Sequence, residues 1–230
     1  MATPIKVFSG NSMRVSLTKL VPEFERASGN TVMLNYDPAQ VVLKRISSGE
    51  TADFAIMGEV ALDALIKLGK IMAATRRLLV GSEAGIGVRA GAPRPDISSA
   101  VAFKQALLDA RSIAYASEGA SGIHFVRVIE QLGIADEIKA KAKTRPGGIL
   151  AELLVSGEAD IAIQHIPELK AAQGIEVVGP FPPGFEFANI LVAGIFTNSQ
   201  QPAAAQALLD FLMSPAAKRI LVGQGLKILF

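Results

Sequence analysis

Two short stretches of this chain have the composition of an anion cradle. Ser9-Gly10-Asn11-Ser12 lies between an apolar run and an amphipathic one, and Ser117-Glu118-Gly119-Ala120-Ser121-Gly122 recurs in the same setting later. At a strand-to-helix turn the first backbone N–H groups of the helix have no partner and the helix dipole is positive, so oxyanions are favoured there. Ser9, Asn11, Ser12, Ser117, Ala120, Ser121 and Gly122 are therefore candidate ligand contacts. The plain alternative is that Ser12 and Ser121 only cap their helices. His124 and His165 are the only histidines, one in the first turn of the second helix and the other just past a strand. Arg145, Gln164 and the two imidazoles are cationic or amide donors of the kind that suit planar carboxylates. Two histidines with no well-spaced carboxylate make no metal site, and no residue is assigned a catalytic role from spacing alone. No glycine-lysine phosphate loop, no G-x-S-x-G elbow and no dinucleotide fingerprint occurs, and no cofactor is expected.

The elements around these turns repeat. Ile5 to Ser9 reads as a buried strand, followed by a helix carrying Met13, Leu17, Leu20, Val21 and Phe24 on one face, a strand at Thr31 to Tyr36, a helix opened by Pro38 and a strand at Asp53 to Met57. A similar run begins after Gly91, with a strand at Ser112 to Ser117 and a helix carrying Phe125, Val128, Ile129 and Leu132. The phrase Ser48-Gly49-Glu50-Thr51-Ala52-Asp53-Phe54-Ala55-Ile56 returns one residue shorter as Ser156-Gly157-Glu158-Ala159-Asp160-Ile161-Ala162-Ile163. In each copy a helix is expected to end at the glycine, where a left-handed residue is cheap, before a short strand. The first helix would carry Leu43 and Ile46, the second Ile149, Leu150, Leu153 and Leu154. Copies this far apart suit equivalent parts of two similar α/β lobes better than a solenoid.

The tail adds a strand at Asn189 to Phe196 and helices at Ala203 to Met213 and Pro215 to Leu221. Returned to the first lobe, they make it discontinuous, residues 1–82 and 190–230, with residues 83–189 inserted. The two crossings, near Val80 to Gly87 and Phe187 to Gly194, are the expected hinge, and their glycines are the residues able to absorb rotation. Ligands bind between such lobes.

Composition narrows the function. At 230 residues and 50% hydrophobic the chain can bury two modest cores. Twenty-three basic against twenty-one acidic residues leave +2, with no basic run longer than Arg76-Arg77, which argues against nucleic acid as a partner. The absence of cysteine excludes disulfides and thiolate chemistry. No apolar run reaches the ~18 residues a membrane-spanning helix needs. The start, Met1 to Phe8, shows no signal peptide, which fits a periplasmic protein whose leader was removed or a cytoplasmic one. A monomer is expected.

Val7-Phe8-Ser9-Gly10-Asn11-Ser12-Met13, Asn35-Tyr36 and Gly49 to Ile56 resemble the opening of the periplasmic molybdate-binding protein family of ABC transporters. The likeness continues through Leu153 to Ala162 and the terminal segment from Ala207 to Gly225. The resemblance implies the type II periplasmic-binding fold, an ABC permease as partner, and ligand contacts at Ser12, Met13 and Tyr36. It also places Asp37-Pro38-Ala39-Gln40 where the family has a serine-rich turn, with Ala39 at the second hydroxyl. Asp37 would repel molybdate and Ala39 donates only through its backbone, so a small organic anion, a carboxylate, is the expected ligand. The chain also looks like members of this fold group that isomerise aconitate, and that activity is the alternative, with His124, His165, Glu118 or Asp37 as proton carriers. A cytoplasmic small-molecule sensor akin to the effector lobe of LysR-type regulators is a further one.

Overall fold

The computed structural model describes residues 3–230; Met1 and Ala2, at the start read as leaderless, lie outside them. The chain divides into two compact units, Met1–Gly81 with Ile190–Phe230, and Ser82–Asn189. The first opens with β1 (Ile5–Ser9), α1 (Arg14–Ser28), β2 (Val32–Tyr36), α2 (Ala39–Ser47), β3 (Phe54–Gly58) and α3 (Glu59–Lys67), and then enters β4 (Arg77–Arg89). β1 lies between β2 and β3 and is parallel to both. Its residues are buried on two faces, as a central parallel strand requires. Ile5 and Val7 join Leu17, Leu20 and Phe24 of α1, while Phe8 points to the opposite core with Val42, Ile46 and Leu62.

The second unit contains the later half of β4, then α4 (Ala100–Asp109), β5 (Ile113–Ala116), α5 (Ala120–Gln131), α6 (Ala135–Ala140), β6 (Ala142–Arg145), α7 (Glu152–Val155), β7 (Ile161–His165), α8 (Ile166–Ala171) and β8 (Ile175–Pro180). β5 is its central strand, parallel to β6 and β7, and β4 runs antiparallel to β7 and β8. The chain returns to the first unit through β9 (Ala188–Ile195), antiparallel to β3. It finishes with α9 (Pro202–Leu212), α10 (Pro215–Gly223) and β10 (Lys227–Ile228).

The doubled phrase has a mechanical meaning. In the first copy Asp53 Oδ2 accepts from the backbone N–H of Lys6 at 2.9 Å, and in the second Asp160 Oδ2 accepts from the backbone N–H of Arg111 at 2.9 Å. Each aspartate thus ties the start of its strand, β3 or β7, to the start of the neighbouring central strand. Asp53 Oδ1 also takes Ser199 Oγ and the N–H groups of Gln200 and Gln201, fixing the approach to α9. Gly49 and Gly157 are left-handed, with φ of 90° and 79°, as the helix ends require.

Three expectations need correction. The second copy's helix is only Glu152–Val155, because Ile149 to Ala151 form a turn gripped from β7 by the Gln164 amide. The first crossing, expected as a glycine hinge, is continuous strand, β4, and the second is the strand expected there, β9. Their glycines are not left-handed, and a Cβ at Gly85 would meet Gly179 O and Ile166 Cγ1 at 2.8 Å while one at Gly87 would meet Leu169 Cδ2 at 2.8 Å. Gly85 and Gly87 are there so that α8 and β8 can approach β4.

Candidate functional site

In the first unit β1 stops at Ser9 and the chain turns through Gly10 into a single 3-10 turn, Asn11–Met13, before α1. Gly10 N–H donates to Ile56 O at 3.0 Å and Met13 is wholly buried, so the turn is anchored on both sides of Ser12. The capping position is Gly10, with no side-chain bond, which removes the capping role from Ser12. Ser12 is 5% exposed and its hydroxyl makes no hydrogen bond to the described residues. Ser9 is also buried, but its hydroxyl is spent on Gly10 O at 3.2 Å.

β2 brings Tyr36 beside this turn, in register with Ser9. The Arg14 guanidinium lies over the Tyr36 ring, 4.2 Å from its centroid, and Arg14 Nη2 donates to Asn11 Oδ1 at 3.2 Å. Burial pushes the Tyr36 phenol up against the opposing effects of Thr18 and Arg14, so it stays a neutral donor. Asp37 departs from the role expected of it, because its carboxylate is paired with Arg45, whose other donors clasp Glu50 at 2.7 Å. The repulsive charge is neutralised within the unit. Ala39 begins α2 and its methyl packs against the core around Val42.

The second unit builds its turn from β5 and α5. Ser117 N–H donates to Arg145 O at 2.8 Å, which ties the turn to β6. Gly119 is the helix cap, again without a side-chain bond, so Ser121 is no cap either. Ser121 is 2% exposed and its hydroxyl makes no hydrogen bond to the described residues. Ala120 sits beside it, and Gly122 lets α5 rest against the carbonyl of Ala116. The two turns therefore match, each presenting one unspent serine hydroxyl near the start of a helix.

The polar residues expected to complete the second turn fare differently. Gln164 is 1% exposed and committed, its amide donating to Gly148 O and Glu168 while its oxygen accepts from Ala151 N–H. The Arg145 side chain reaches solvent, with only Glu152 Oε2 at 4.0 Å. His165 is 4% exposed; Nδ1–H donates to Ser82 O at 2.9 Å and Nε2 is buried with no partner. Burial pushes its pKa down to about 4, against the carbonyls of Ser82 and Glu83, so the ring is neutral. His124 Nε2 lies 2.8 Å from Phe185 O, an acceptor, so that nitrogen carries the proton and Nδ1 holds the lone pair. Its ring stacks on Phe187 at 4.7 Å, and Phe187 lies 6.0 Å from His165.

Arg14 and Phe187 are the residues that sequence reasoning passed over. Arg14 had left a signal: a basic residue in a first helical turn opposes the dipole, and a broken local rule points to a functional site. Phe187 left none, since one phenylalanine in a Pro/Gly-rich approach does not reveal the rings it will meet.

Two α/β units joined by two strands, each with a serine-bearing strand-to-helix turn, give the chain the fold of the type II periplasmic binding proteins. More narrowly, a family model for bacterial extracellular solute-binding proteins matches residues 5–227, and the chain belongs to that family. An aconitate isomerase of Pseudomonas sp is 33% identical over 98% of this chain and 88% of its own length. The structure of the periplasmic molybdate-binding protein of Azotobacter vinelandii is similar with a TM-score of 0.81 at 18% identity, covering 98% of this chain and 100% of that one. The sulfate-binding protein of Mycobacterium tuberculosis is similar with a TM-score of 0.79 at 18% identity, covering 99% and 88%. Among the described residues no helix is long and apolar enough to cross a membrane.

Proposed function

We propose that this solute-binding protein captures a small organic anion bearing carboxylates, a tricarboxylate of the aconitate class, rather than molybdate. The observation that carries the proposal is the pair of largely buried serines, Ser12 and Ser121, at matching turns where neither serves as a cap and no described residue engages either hydroxyl. A hydroxyl at a strand-to-helix turn that no group of the chain engages is free to donate to an anion from outside it. In this reading each turn offers its hydroxyl to a carboxylate, with Asn11 and Tyr36 shaping the first and Ala120 and Gly122 the second. Ala39 supplies no hydroxyl, which weakens the case for a tetrahedral oxyanion, and the isomerase relative directs the choice toward a tricarboxylate. As an extracytoplasmic monomer the protein would pass its ligand to an ABC permease.

Calorimetry tests this. Wild type should bind cis-aconitate or tricarballylate more tightly than molybdate. Ser12→Ala and Ser121→Ala should each weaken the preferred ligand about 10–100-fold, the worth of one charge-assisted hydrogen bond. Submicromolar molybdate binding, or serine variants indistinguishable from wild type, would overturn it.

Isomerisation of the bound acid is the second reading. It is favoured by the 33% identical relative and by His124 Nδ1, a lone pair on a ring held by stacking and by Phe185 O. A proton would leave a carbon next to a carboxylate for that nitrogen and return at another carbon. With wild type in deuterated water, NMR should then show exchange of cis- and trans-aconitate, abolished in His124→Gln while binding persists. No interconversion at saturating ligand leaves capture alone.

A further inference from the structure

Arg14 is placed against its helix. A cation in the first turn is opposed by the dipole, and no acidic residue sits in that turn to offset it. The arginine is nevertheless held at two points, by the Tyr36 ring 4.2 Å below the guanidinium and by Asn11 Oδ1 at 3.2 Å. Asn11 belongs to the turn that carries Ser12, and Tyr36 ends β2 beside it. The contrast with Arg45 on the neighbouring helix is informative, because Arg45 is neutralised by Asp37 and Glu50. Arg14 has no carboxylate partner among the described residues. Of its five N–H donors, one goes to Asn11 Oδ1. A stacked, oriented guanidinium is preorganised, so less side-chain entropy is lost when an anion arrives.

We infer that Arg14 is a specificity-determining residue of this site, pairing with a second carboxylate of a ligand whose first is held at Ser12, and that it thereby selects polycarboxylates over single anions. The inference deepens the proposed function and rests on it. Two independent features converge on one turn: a hydroxyl on the largely buried Ser12 that no described residue engages, and a fixed cation lacking a counterion among the described residues. A monoanion would satisfy one of them. A di- or tricarboxylate satisfies both. Tyr36 acts here as a platform and Asn11 as a strut, so Arg14 is positioned before the ligand binds.

The test compares tricarballylate, which cannot isomerise, with butyrate, a monocarboxylate of similar chain length, by calorimetry on wild type, Arg14→Gln, Arg14→Lys and Tyr36→Leu. Arg14→Gln should lose about 10–100-fold in tricarballylate affinity while butyrate changes less than about threefold, so that the preference collapses. Arg14→Lys keeps the charge without the planar fork and should recover only part of the loss. Tyr36→Leu keeps the cation without its platform and should fall between. Arg14 is exposed, so the melting temperature of Arg14→Gln should match that of wild type. Tricarballylate affinity unchanged in Arg14→Gln, or equal losses for both acids, overturns the assignment, the second outcome marking Arg14 as scaffold for the turn. A wild type that binds neither acid sinks the carboxylate reading and this inference with it, whereas binding indifferent to Arg14 sinks this inference alone.

Discussion

Lowering the pH from 6.5 to about 4 should remove roughly 3 kcal/mol of folding stability through His165 alone, and His165→Gln should lack that loss. The native ring is sealed in, with Nδ1–H on the Ser82 carbonyl and Nε2 facing no acceptor or donor, and burial pushes its pKa down to about 4. In the unfolded chain the same ring protonates near 6.5. Between those two values the unfolded state binds more protons than the native one, so stability rises with pH across the window and is lost on acidification. The groups that face the ring are the Ser82 and Glu83 carbonyls, Phe187, and Glu168, whose carboxylate accepts the His165 backbone N–H. The carbonyls favour the charged ring and are outweighed by desolvation.

Carboxylates held low by arginine act in a different window. Glu50, clasped first by Arg45 and then by Lys6, is held at about 2, and its contribution is present above 4.5 and lost only below that. Denaturant titrations at pH 7 and pH 4.5 on wild type and His165→Gln isolate the imidazole. Equal slopes in the two proteins would place the proton elsewhere. A ring that is neutral and sealed at pH 7 is also a poor candidate for the moving proton of an isomerase, which leaves His124 to that role.

The turns and the repeat were legible because each is local chemistry. Ser-Gly-Asn-Ser between an apolar and an amphipathic run can hardly be other than a strand-to-helix turn, and Asp53 and Asp160 recur since both tie a strand start to its central neighbour. The strand character of the first crossing was written as an alternation, with Val80, Ser82, Ala84, Ile86 and Val88 all buried, but the glycines at 81, 85 and 87 read as flexibility. Glycine in a strand that another backbone approaches looks the same in sequence as glycine in a hinge. The fate of Gln164 was not legible either, because its partners, Gly148 and Ala151, are defined only once α7 has lost its first turn. Asp37 was misjudged for the same reason: the residue that neutralises it lies two helical turns on, and Arg45 could equally have faced solvent.

Gly122→Ala should be the most damaging single methyl group in the second unit. A Cβ at this position would stand 1.8 Å from the carbonyl oxygen of Ala116 and 2.8 Å from its carbon, both backbone atoms that cannot rotate away. Relief requires α5 to lift from the end of β5 by more than an ångström, against the packing of Phe125, Val128 and Ile129 in the core beneath. Overpacking of this kind costs about 1–3 kcal/mol and more when backbone must move, so a loss of about 3 kcal/mol or greater is expected. Ser121 would be carried outward with the helix, and since ångström-scale misplacement costs on the order of 100-fold in a preorganised site, ligand affinity should fall with stability. Gly119→Ala meets only the methyl of Ala116, at 2.9 Å, and should be milder. Gly223→Ala, at the end of α10 with nothing within 4 Å, should be neutral or slightly stabilising and controls for the loss of glycine itself. Urea unfolding gives the stability order and calorimetry with tricarballylate the affinities. If Gly122→Ala were as stable as Gly223→Ala and bound its ligand normally, α5 would have to sit farther from β5 than it does here, and the matched turns on which the function is argued would lose their second member.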